Sequence, residues 1–223
     1  DDLLLKEGMF DNAKSGVQHN IPFQTNFKML KHFSVSVGGQ YTETWTGKTI
    51  KYKDFKEGVG VVKDTIGGFD RFGVYNYNAS ITTKVYGIIN FKPKNKVQSI
   101  RHTISPSISY SNNPSFEEYY DTYIIDANGN TAEYTRFQGG LYNTPGRNYS
   151  SSIGLNIKNV IEAKVKPKDS TETELRKIDI FKNLNISTSY NLAAKEFKIS
   201  PIRVNGSIDL VRGFTVNTGA TFD

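Results

Sequence analysis

Residues 75–91, which read YNYNASITTKVYGIINF, alternate between two kinds of side chain along most of their length. Odd positions such as Tyr75 and Ile81 are mainly apolar, whereas even positions such as Asn78 and Lys84 are mainly polar. Successive side chains of a β-strand point to opposite faces, so this period of two predicts a strand with one apolar and one polar face.

The same alternation recurs through nearly the whole chain. In residues 100–110, Ile100 and Ile104 belong to one face, while the other face consists almost entirely of Ser and Thr. Six further runs show it, at residues 17–29, 33–46, 149–166, 178–192, 197–211 and 213–222. We therefore expect an all-β segment of about eight strands.

The length of these runs indicates a membrane protein. Many have roughly 12 or more residues, against about 5 or 6 in a soluble sheet. At about 3.3 Å per residue and a tilt near 45°, about 13 residues rise roughly 30 Å, the thickness of a bilayer's hydrocarbon core. We predict a transmembrane antiparallel β-barrel. Residues 1–223 would be one segment of a single barrel domain, and we expect them to belong to a longer chain.

Composition excludes several other classes. Hydrophobic residues make up 37% of the chain, and no run approaches the roughly 18 apolar residues of a spanning helix. The absence of Cys excludes disulfides, thiolate zinc sites and cysteine nucleophiles. The net charge of +6 is compatible with nucleic acid, with anionic lipid or with solubility alone. We expect a bacterial outer-membrane location with membrane lipids as neighbours, and no nucleic-acid partner.

Connections between the runs alternate between short and long, as in barrels with tight periplasmic turns and extended outer loops. The short connections are residues 30–32, 92–97 and 211–213. The long ones are residues 47–70 and 112–148, with Asn128-Gly129 predicted as a hairpin tip inside the second. Residues 167–177 form a longer polar connection on the predicted periplasmic side.

Aromatic residues gather toward the ends of the runs. They are Phe33, Trp45, Tyr75, Phe91, Tyr110, Tyr149, Phe181, Tyr190, Phe214 and Phe222. Two interfacial girdles are our interpretation, and ordinary core aromatics of a soluble sandwich are the alternative.

Candidate chemistry is sparse. His19, His32 and His102 lie in three different runs without the close spacing of a metal site. Residues 126–130 begin like a calcium loop, but Thr131 stands where the loop needs Gly and Phe137 where it needs Glu. No nucleophile elbow or paired carboxylates occur in the runs, so we expect no catalytic residue, metal or cofactor, and no enzyme.

Cations and prolines within the runs are the remaining candidates. The cations on the predicted polar face are Lys28, Lys84, Arg101, Lys158, Lys164 and Arg203. In a barrel that face lines the lumen, where they would either meet an anionic cargo or only hydrate the wall. The prolines that interrupt runs are Pro22, Pro106 and Pro201. Each removes a ladder donor, which predicts a bulge or weakened pairing.

Residues 100–110, IRHTISPSISY, followed by NPSF at 113–116, resemble the TLxPxxxYxxxP stretch in the barrel of the LptD family of lipopolysaccharide-assembly proteins. The likeness is closest to the Bacteroidota branch. Further similar blocks are residues 18–23, 64–69, 83–87, 136–140 and 187–193. Each block is a soft motif, but their order and spacing agree over most of the chain.

The resemblance implies one of the largest single-chain outer-membrane barrels, plugged by the lipoprotein LptE. Such a machine receives lipopolysaccharide from a periplasmic bridge and releases it sideways through a seam between its first and last strands, which nearby prolines loosen. The cysteines that proteobacterial relatives use for disulfide-dependent maturation are missing from residues 1–223. Two alternatives stay open from the residues: another outer-membrane barrel, such as a porin or a TonB-dependent transporter, and a soluble adhesive β-protein.

Overall fold

A computed structural model describes residues 13–167, 174–211 and 214–223 of the chain. Its strands are β1 Gly16–Met29, β2 Phe33–Lys56, β3 Gly60–Thr82, β4 Val85–Asn90, β5 Val97–Asn113, β6 Tyr120–Ile124, β7 Thr131–Thr135, β8 Ser150–Val165, β9 Arg176–Asn191, β10 Ile202–Val211 and β11 Phe214–Phe222. A single 3-10 turn, Glu117–Tyr119, is the helical element of the described residues. The prediction of an all-β chain is confirmed.

The strands form one large sheet and one small one. Within the described residues the large sheet has nine strands in the order β1-β2-β3-β5-β8-β9-β10-β11, with β4 paired to β5. β6 and β7 form a separate antiparallel pair. Strands that follow one another along the chain are mostly neighbours, which is the meander expected of a transmembrane barrel wall.

The chain divides into two compact units. The described part of the first comprises residues 13–23, 39–77 and 113–149, and the second comprises residues 24–38, 78–112 and the described residues from Ser150 to Asp223. The first has an aromatic core in which Phe72 and Phe137 are each 4% exposed, with ring centroids 4.6 Å apart. Tyr119 packs against both rings, at 5.9 and 5.8 Å.

The second unit shows the two faces of its sheet through the strand register. One row across β8, β9, β10 and β11 is apolar: Ile157, Ile186, Val204 and Ala220. The adjacent row is polar: Asn156, Ser187, Arg203 and Thr221. Leu155 remains 41% exposed and Tyr190 39% exposed on the apolar side. An apolar face left open in this way suits contact with lipid.

The predicted outer loop at residues 47–70 is wrong, because β2 continues to Lys56 and β3 already begins at Gly60. The turn between them is tight: the Val59 amide donates to the Lys56 carbonyl at 3.1 Å, and Gly58 and Gly60 have φ of +81° and +79°. Glycine adopts these left-handed conformations without a steric penalty. The Gly, Lys and Asp residues of this stretch are a composition typical of loops, but here they belong to two long strands and a tight turn.

The other predicted runs agree more closely with the strands. Residues 17–29, 149–166 and 178–192 match β1, β8 and β9 to within two residues at each end. The predicted run 197–211 starts too early, since β10 begins at Ile202. Of the predicted connections, residues 168–173 and 212–213 lie outside the described residues.

Trp45 was predicted at a strand end, but it lies well inside β2. Its indole packs edge-on against His19 and Phe69, with centroid distances of 4.6 and 5.7 Å, and its Nε1 donates to Glu43 at 2.8 Å. Trp45 is 37% exposed. An apolar ring system whose polar N–H is hydrogen-bonded suits the membrane interface. The aromatic girdle itself stays a prediction.

The second long connection contains the predicted hairpin, formed by β6 and β7. Gly129 at its tip has φ of +81°. Asp126 Oδ1 accepts hydrogen bonds from the amides of Asn128 (2.9 Å) and Asn130 (3.1 Å), and its Oδ2 accepts from the Asn130 side chain at 2.6 Å. The Asn130 side-chain bond, followed by these backbone amides, lowers the pKa of Asp126. No helix of the described chain is long and apolar enough to cross a bilayer.

The lowered pKa of Asp126 predicts a turn that loosens in acid. A carboxyl group whose pKa is depressed on folding stabilises the turn above its unfolded pKa of about 3.9, and the stabilisation is lost as pH falls through the folded value. We expect the amides of Asn128 and Asn130 to lose protection below about pH 4. NMR hydrogen exchange between pH 3 and 6, corrected for intrinsic rates, measures this. Asp126→Asn should remove the pH dependence; its persistence would show that another group is responsible.

Candidate functional site

All six predicted cations lie in the second unit, and all are exposed. Lys158 and Arg203 lie on either side of β9, where they pair with Asn185 and Ser187 respectively. Because Asn185 and Ser187 are two residues apart, their side chains and those of both cations share one face. The structure thus brings two of the six cations together on a polar surface.

That surface is rich in amides and hydroxyls, and we call it the β9 polar face. Its members are Asn156, Lys158, Asn185, Ser187, Arg203, Asn205 and Thr221. A basin beside it is lined by Asn183, Asn205, Gly206, Ser207, Asn217, Thr218 and Gly219. Many donors beside two cations give a surface that can exchange hydrogen bonds with an anionic, hydroxylated molecule.

The other four cations have different surroundings. The Arg101 guanidinium lies 4.8 Å from the ring centroid of Tyr86, which is a cation–π contact. Lys164 lies opposite Lys177 in the register of β8 and β9. The Lys177 ammonium forms an ion pair with Glu162. Lys28 lies in β1, away from β9 in the strand order.

Lys84 was predicted on a strand, but it occupies the two-residue break between β3 and β4. Pro106 explains this break. Its carbonyl accepts hydrogen bonds from the Thr83 amide (3.2 Å) and the Thr82 hydroxyl (3.1 Å). In a hydrogen-bonded antiparallel pair, the residue opposite Thr83 accepts a bond from the Thr83 amide and donates its own amide to the Thr83 carbonyl. Proline has no amide hydrogen to donate. The ladder therefore breaks at the height of Pro106.

The other two prolines differ from Pro106. Pro22 lies inside β1, as predicted. Pro201 precedes the first residue of β10, so the prediction that it interrupts a strand is wrong. Ser200 before it forms the local contacts, exchanging backbone and side-chain hydrogen bonds with Ser189. A proline at this entry position removes no ladder bond from β10.

Replacing Pro106 with Ala should restore the missing hydrogen bond between β5 and Thr83. In Pro106→Ala the new amide can donate to Thr83, so we expect slow hydrogen exchange at position 106 and unfolding stability raised by up to about 1 kcal/mol. Hydrogen–deuterium exchange with mass spectrometry and denaturant unfolding in detergent measure the two effects. Pro201→Ala is the matched control and should leave the protection of β10 unchanged. Fast exchange at position 106 would refute this explanation of the break.

A polar pair that sequence reasoning missed lies on the apolar face. His102 Nε2 donates to Asn159 Oδ1 at 3.0 Å, and Asn159 is 8% exposed. The Asn159 side-chain amide donates to the carbonyls of Ile157 and Leu184, each at 3.3 Å. On its own strand His102 stands between Ile100 and Ile104. Its partner Asn159 is 57 positions away along the chain. Alternation within one strand cannot reveal it.

Breaking this pair should cost stability. His102→Leu leaves the Asn159 oxygen without its donor in an apolar setting, and we expect a loss of about 1 to 3 kcal/mol in unfolding free energy. His102→Gln retains a donor and should lose less than about 1 kcal/mol. Urea unfolding in lipid vesicles compares them. Equal losses in the two variants would show that imidazole packing, and not the hydrogen bond, stabilises this site.

In the described part of the chain, no group of three His, Cys, Asp or Glu side chains is placed to hold a metal ion. The calcium-like stretch beginning at Asp126 forms the hairpin tip described above, where the carboxylate is occupied by its own backbone. The sheet of the second unit instead has one apolar face and one hydrogen-bonding face.

Comparison with known proteins decides between the barrel families. The family model described as LptD protein matches residues 1–223. This chain belongs to the LptD family. It is therefore a component of lipopolysaccharide transport, and its sheet is part of an outer-membrane barrel. No curated protein and no solved structure matches the chain. LptD-family membership favours lipid transport over a porin, a TonB-dependent transporter or an adhesive protein.

Proposed function

We propose that this segment forms part of the barrel wall that receives lipopolysaccharide from the periplasm and inserts it into the outer leaflet through a lateral opening. The observation that carries the proposal is the pair of opposite rows across β8 to β11, one apolar and one polar. The apolar row would face lipid and the polar row the lumen. Lipid moves along such a wall without any covalent step.

The chemical groups of the β9 polar face and the exposure of its cations both support lipopolysaccharide as the cargo. Lipopolysaccharide carries phosphates and hydroxyls, and the β9 polar face offers Lys158 and Arg203 beside amides and hydroxyls. Charge-assisted hydrogen bonds to phosphate are about twice as strong as neutral ones. Exposed cations in a wide, hydrated lumen hold such a cargo weakly enough to release it.

The remaining parts of the machine are proposed from the family. They are a periplasmic bridge that delivers the lipid and an LptE-like lipoprotein that plugs the lumen. Pro106 is a point of weakened pairing between β3 and β5, which are neighbours inside the meander, and the seam itself is proposed from the family alone. Pro22 is a second strand proline that could loosen pairing, whereas Pro201 lies outside a strand.

Depleting the protein tests the proposal directly. Newly made lipopolysaccharide should accumulate below the cell surface, as measured by pulse labelling and surface-specific modification. In cells complemented with Lys158→Gln/Arg203→Gln, we expect delivery to slow about threefold to tenfold, because two charge-assisted contacts are lost. Lys195→Gln/Lys198→Gln removes the same charge from exposed residues between β9 and β10 and should deliver normally. Normal surface delivery after depletion would refute the function, and equal slowing in both variants would refute the role of the β9 polar face.

A further inference from the structure

One side of β4 is an open strand edge. β4 continues the line of β3 along β5, and among the described residues it pairs with β5 alone. On its other side, β2 has already ended. The Thr83 hydroxyl donates to the carbonyl of His32 at 2.9 Å, and β2 begins at the next residue, Phe33. β4 therefore runs past the β1–β2 turn with one neighbouring strand in the described part of the chain.

The hydrogen bonds on either side of β4 show which of its backbone groups face the open side. The Thr83 amide donates to Pro106 as described above, and the Phe91 amide donates to the Gln98 carbonyl at 2.9 Å. Alternate residues of an antiparallel strand bond the same neighbour, so the odd-numbered residues of β4 bond β5. The residues whose amides and carbonyls point to the open side are Tyr86, Ile88 and Asn90.

An open strand edge cannot lie inside the bilayer. Hydrocarbon offers no partner for unpaired amides and carbonyls, so open sheet edges do not occur at that depth. Because the sheet is part of an outer-membrane barrel, β4 projects from the bilayer into water on the side of the β1–β2 turn. The predicted topology makes that side periplasmic, a placement that rests on the proposed function.

β4 is apolar on both faces although it projects into water. Val85 and Ile89 belong to one face and are 54% and 61% exposed, and Tyr86 and Ile88 belong to the other and are 52% and 61% exposed. Strand edges in water are usually protected by a charge, a proline or a bulge within the strand. Residues 85–90 contain neither a charge nor a proline. An exposed apolar edge of this kind is typical of a site that pairs with another strand.

Positive charges flank this edge at both ends. They are Lys84 before β4, and Lys92, Lys94 and Lys96 in the turn that leads to β5. No Asp or Glu occurs anywhere in residues 71–116. On β8 and β9, Glu162 and Asp179 both pair with Lys177. The open edge therefore has a local excess of positive charge.

The turn that carries three of these lysines is held in place by hydrogen bonds. The Asn95 amide donates to the Lys92 carbonyl at 2.9 Å. Just after β8, the Lys166 amide donates to the Lys96 carbonyl, also at 2.9 Å. A turn tied to its neighbouring strand presents its charges at defined positions beside the edge.

We propose that β4 binds an acidic, extended segment of a partner protein by strand addition. The partner's backbone would bond the amides and carbonyls of Tyr86, Ile88 and Asn90, and β-branched side chains at its centre would pack on those of β4. Acidic residues at its two ends would pair with Lys84 and with the lysines of the turn. The backbone bonds supply affinity, and the charges select the partner.

Fluorescence anisotropy with the full-length protein in nanodiscs of zwitterionic lipid tests the proposal. The probe is the labelled peptide DEVTVTVED. The comparison peptides are KKVTVTVKK and a form of the acidic peptide that is N-methylated at all its central amides and so has no donor for a strand ladder. We expect the acidic peptide to bind at least about tenfold more tightly than either. Equal binding of the basic peptide would overturn the charge selection, equal binding of the methylated peptide would overturn strand addition, and no binding would overturn both.

Hydrogen exchange at residue resolution tests the geometry. When the acidic peptide binds, exchange at the amides of Tyr86, Ile88 and Asn90 should slow at least about tenfold. The amides of Gly87 and Ile89 already bond β5 and should change little. Protection of other segments alone would overturn the site. Slow exchange at the three open-side amides before any peptide is added would show that a second copy or another segment already occupies the edge, which would also overturn it.

Two variants at one position separate the backbone from the side chain. Ile88→Pro removes an amide on the open side, which β5 does not use, and should weaken peptide binding at least about tenfold. Ile88→Ala removes the same side chain but keeps the amide, and should weaken binding less than about threefold. Equal weakening in the two variants would overturn strand addition. Heat-modifiable gel migration confirms that each variant is folded.

A second pair of variants separates the site from general charge. Lys92→Gln/Lys94→Gln should weaken binding of the acidic peptide at least about fivefold, because two ion pairs beside the edge are lost. Lys195→Gln/Lys198→Gln removes equal charge between β9 and β10 and should change binding less than about twofold. Equal weakening in both would overturn the role of the turn.

Failure of this proposal can be distinguished from failure of the transport function. If depletion of the protein leaves surface delivery normal while the acidic peptide binds and protects the open-side amides, the transport proposal fails and the strand-addition site stands. If delivery depends on the protein but the acidic peptide does not bind, the site fails and transport stands.

Discussion

Hydrocarbon offers no hydrogen bonds, so every backbone amide and carbonyl that crosses it must be bonded within the sheet. The long strands and the meander order of this chain follow from that requirement. So does the regular alternation of side chains, because one face of a single-layer sheet meets lipid while the other meets water. The row from Ile157 to Ala220 and the adjacent row from Asn156 to Thr221 are the visible result.

The same constraint explains the exceptions. Asn159 can lie on the apolar face because His102 and two backbone carbonyls satisfy its side chain. Pro106 cannot donate a hydrogen bond to the Thr83 carbonyl, and the predicted run 75–91 is interrupted there, between the end of β3 and the start of β4. Polar groups in an apolar setting are tolerated where partners exist, and the backbone breaks where they do not.

Period-two alternation was sufficient to predict the fold class and most strands of the second unit. Alternate side chains of a barrel strand face lipid on one side and water on the other, and this contrast produces the pattern. It failed at residues 47–70, where β2 and β3 extend with glycines and charges that local composition assigns to a loop. It also began β10 too early, because residues 197–201 alternate without forming ladder pairs beyond an isolated bridge at Ile199. The His102–Asn159 pair joins distant parts of the chain, and no local pattern contains it.

The 24 residues of β2 rise about 55 Å at a 45° tilt, well beyond a hydrocarbon core of about 30 Å. The tip of the β2–β3 hairpin carries Lys53, Lys56, Glu57, Lys63 and Asp64. Each basic side chain costs about 2 to 4 kcal/mol at the bilayer midplane. During biogenesis the tip must therefore travel to the far side through a hydrated passage or with the help of an insertion catalyst, since spontaneous partitioning of so charged an end is too slow and too costly.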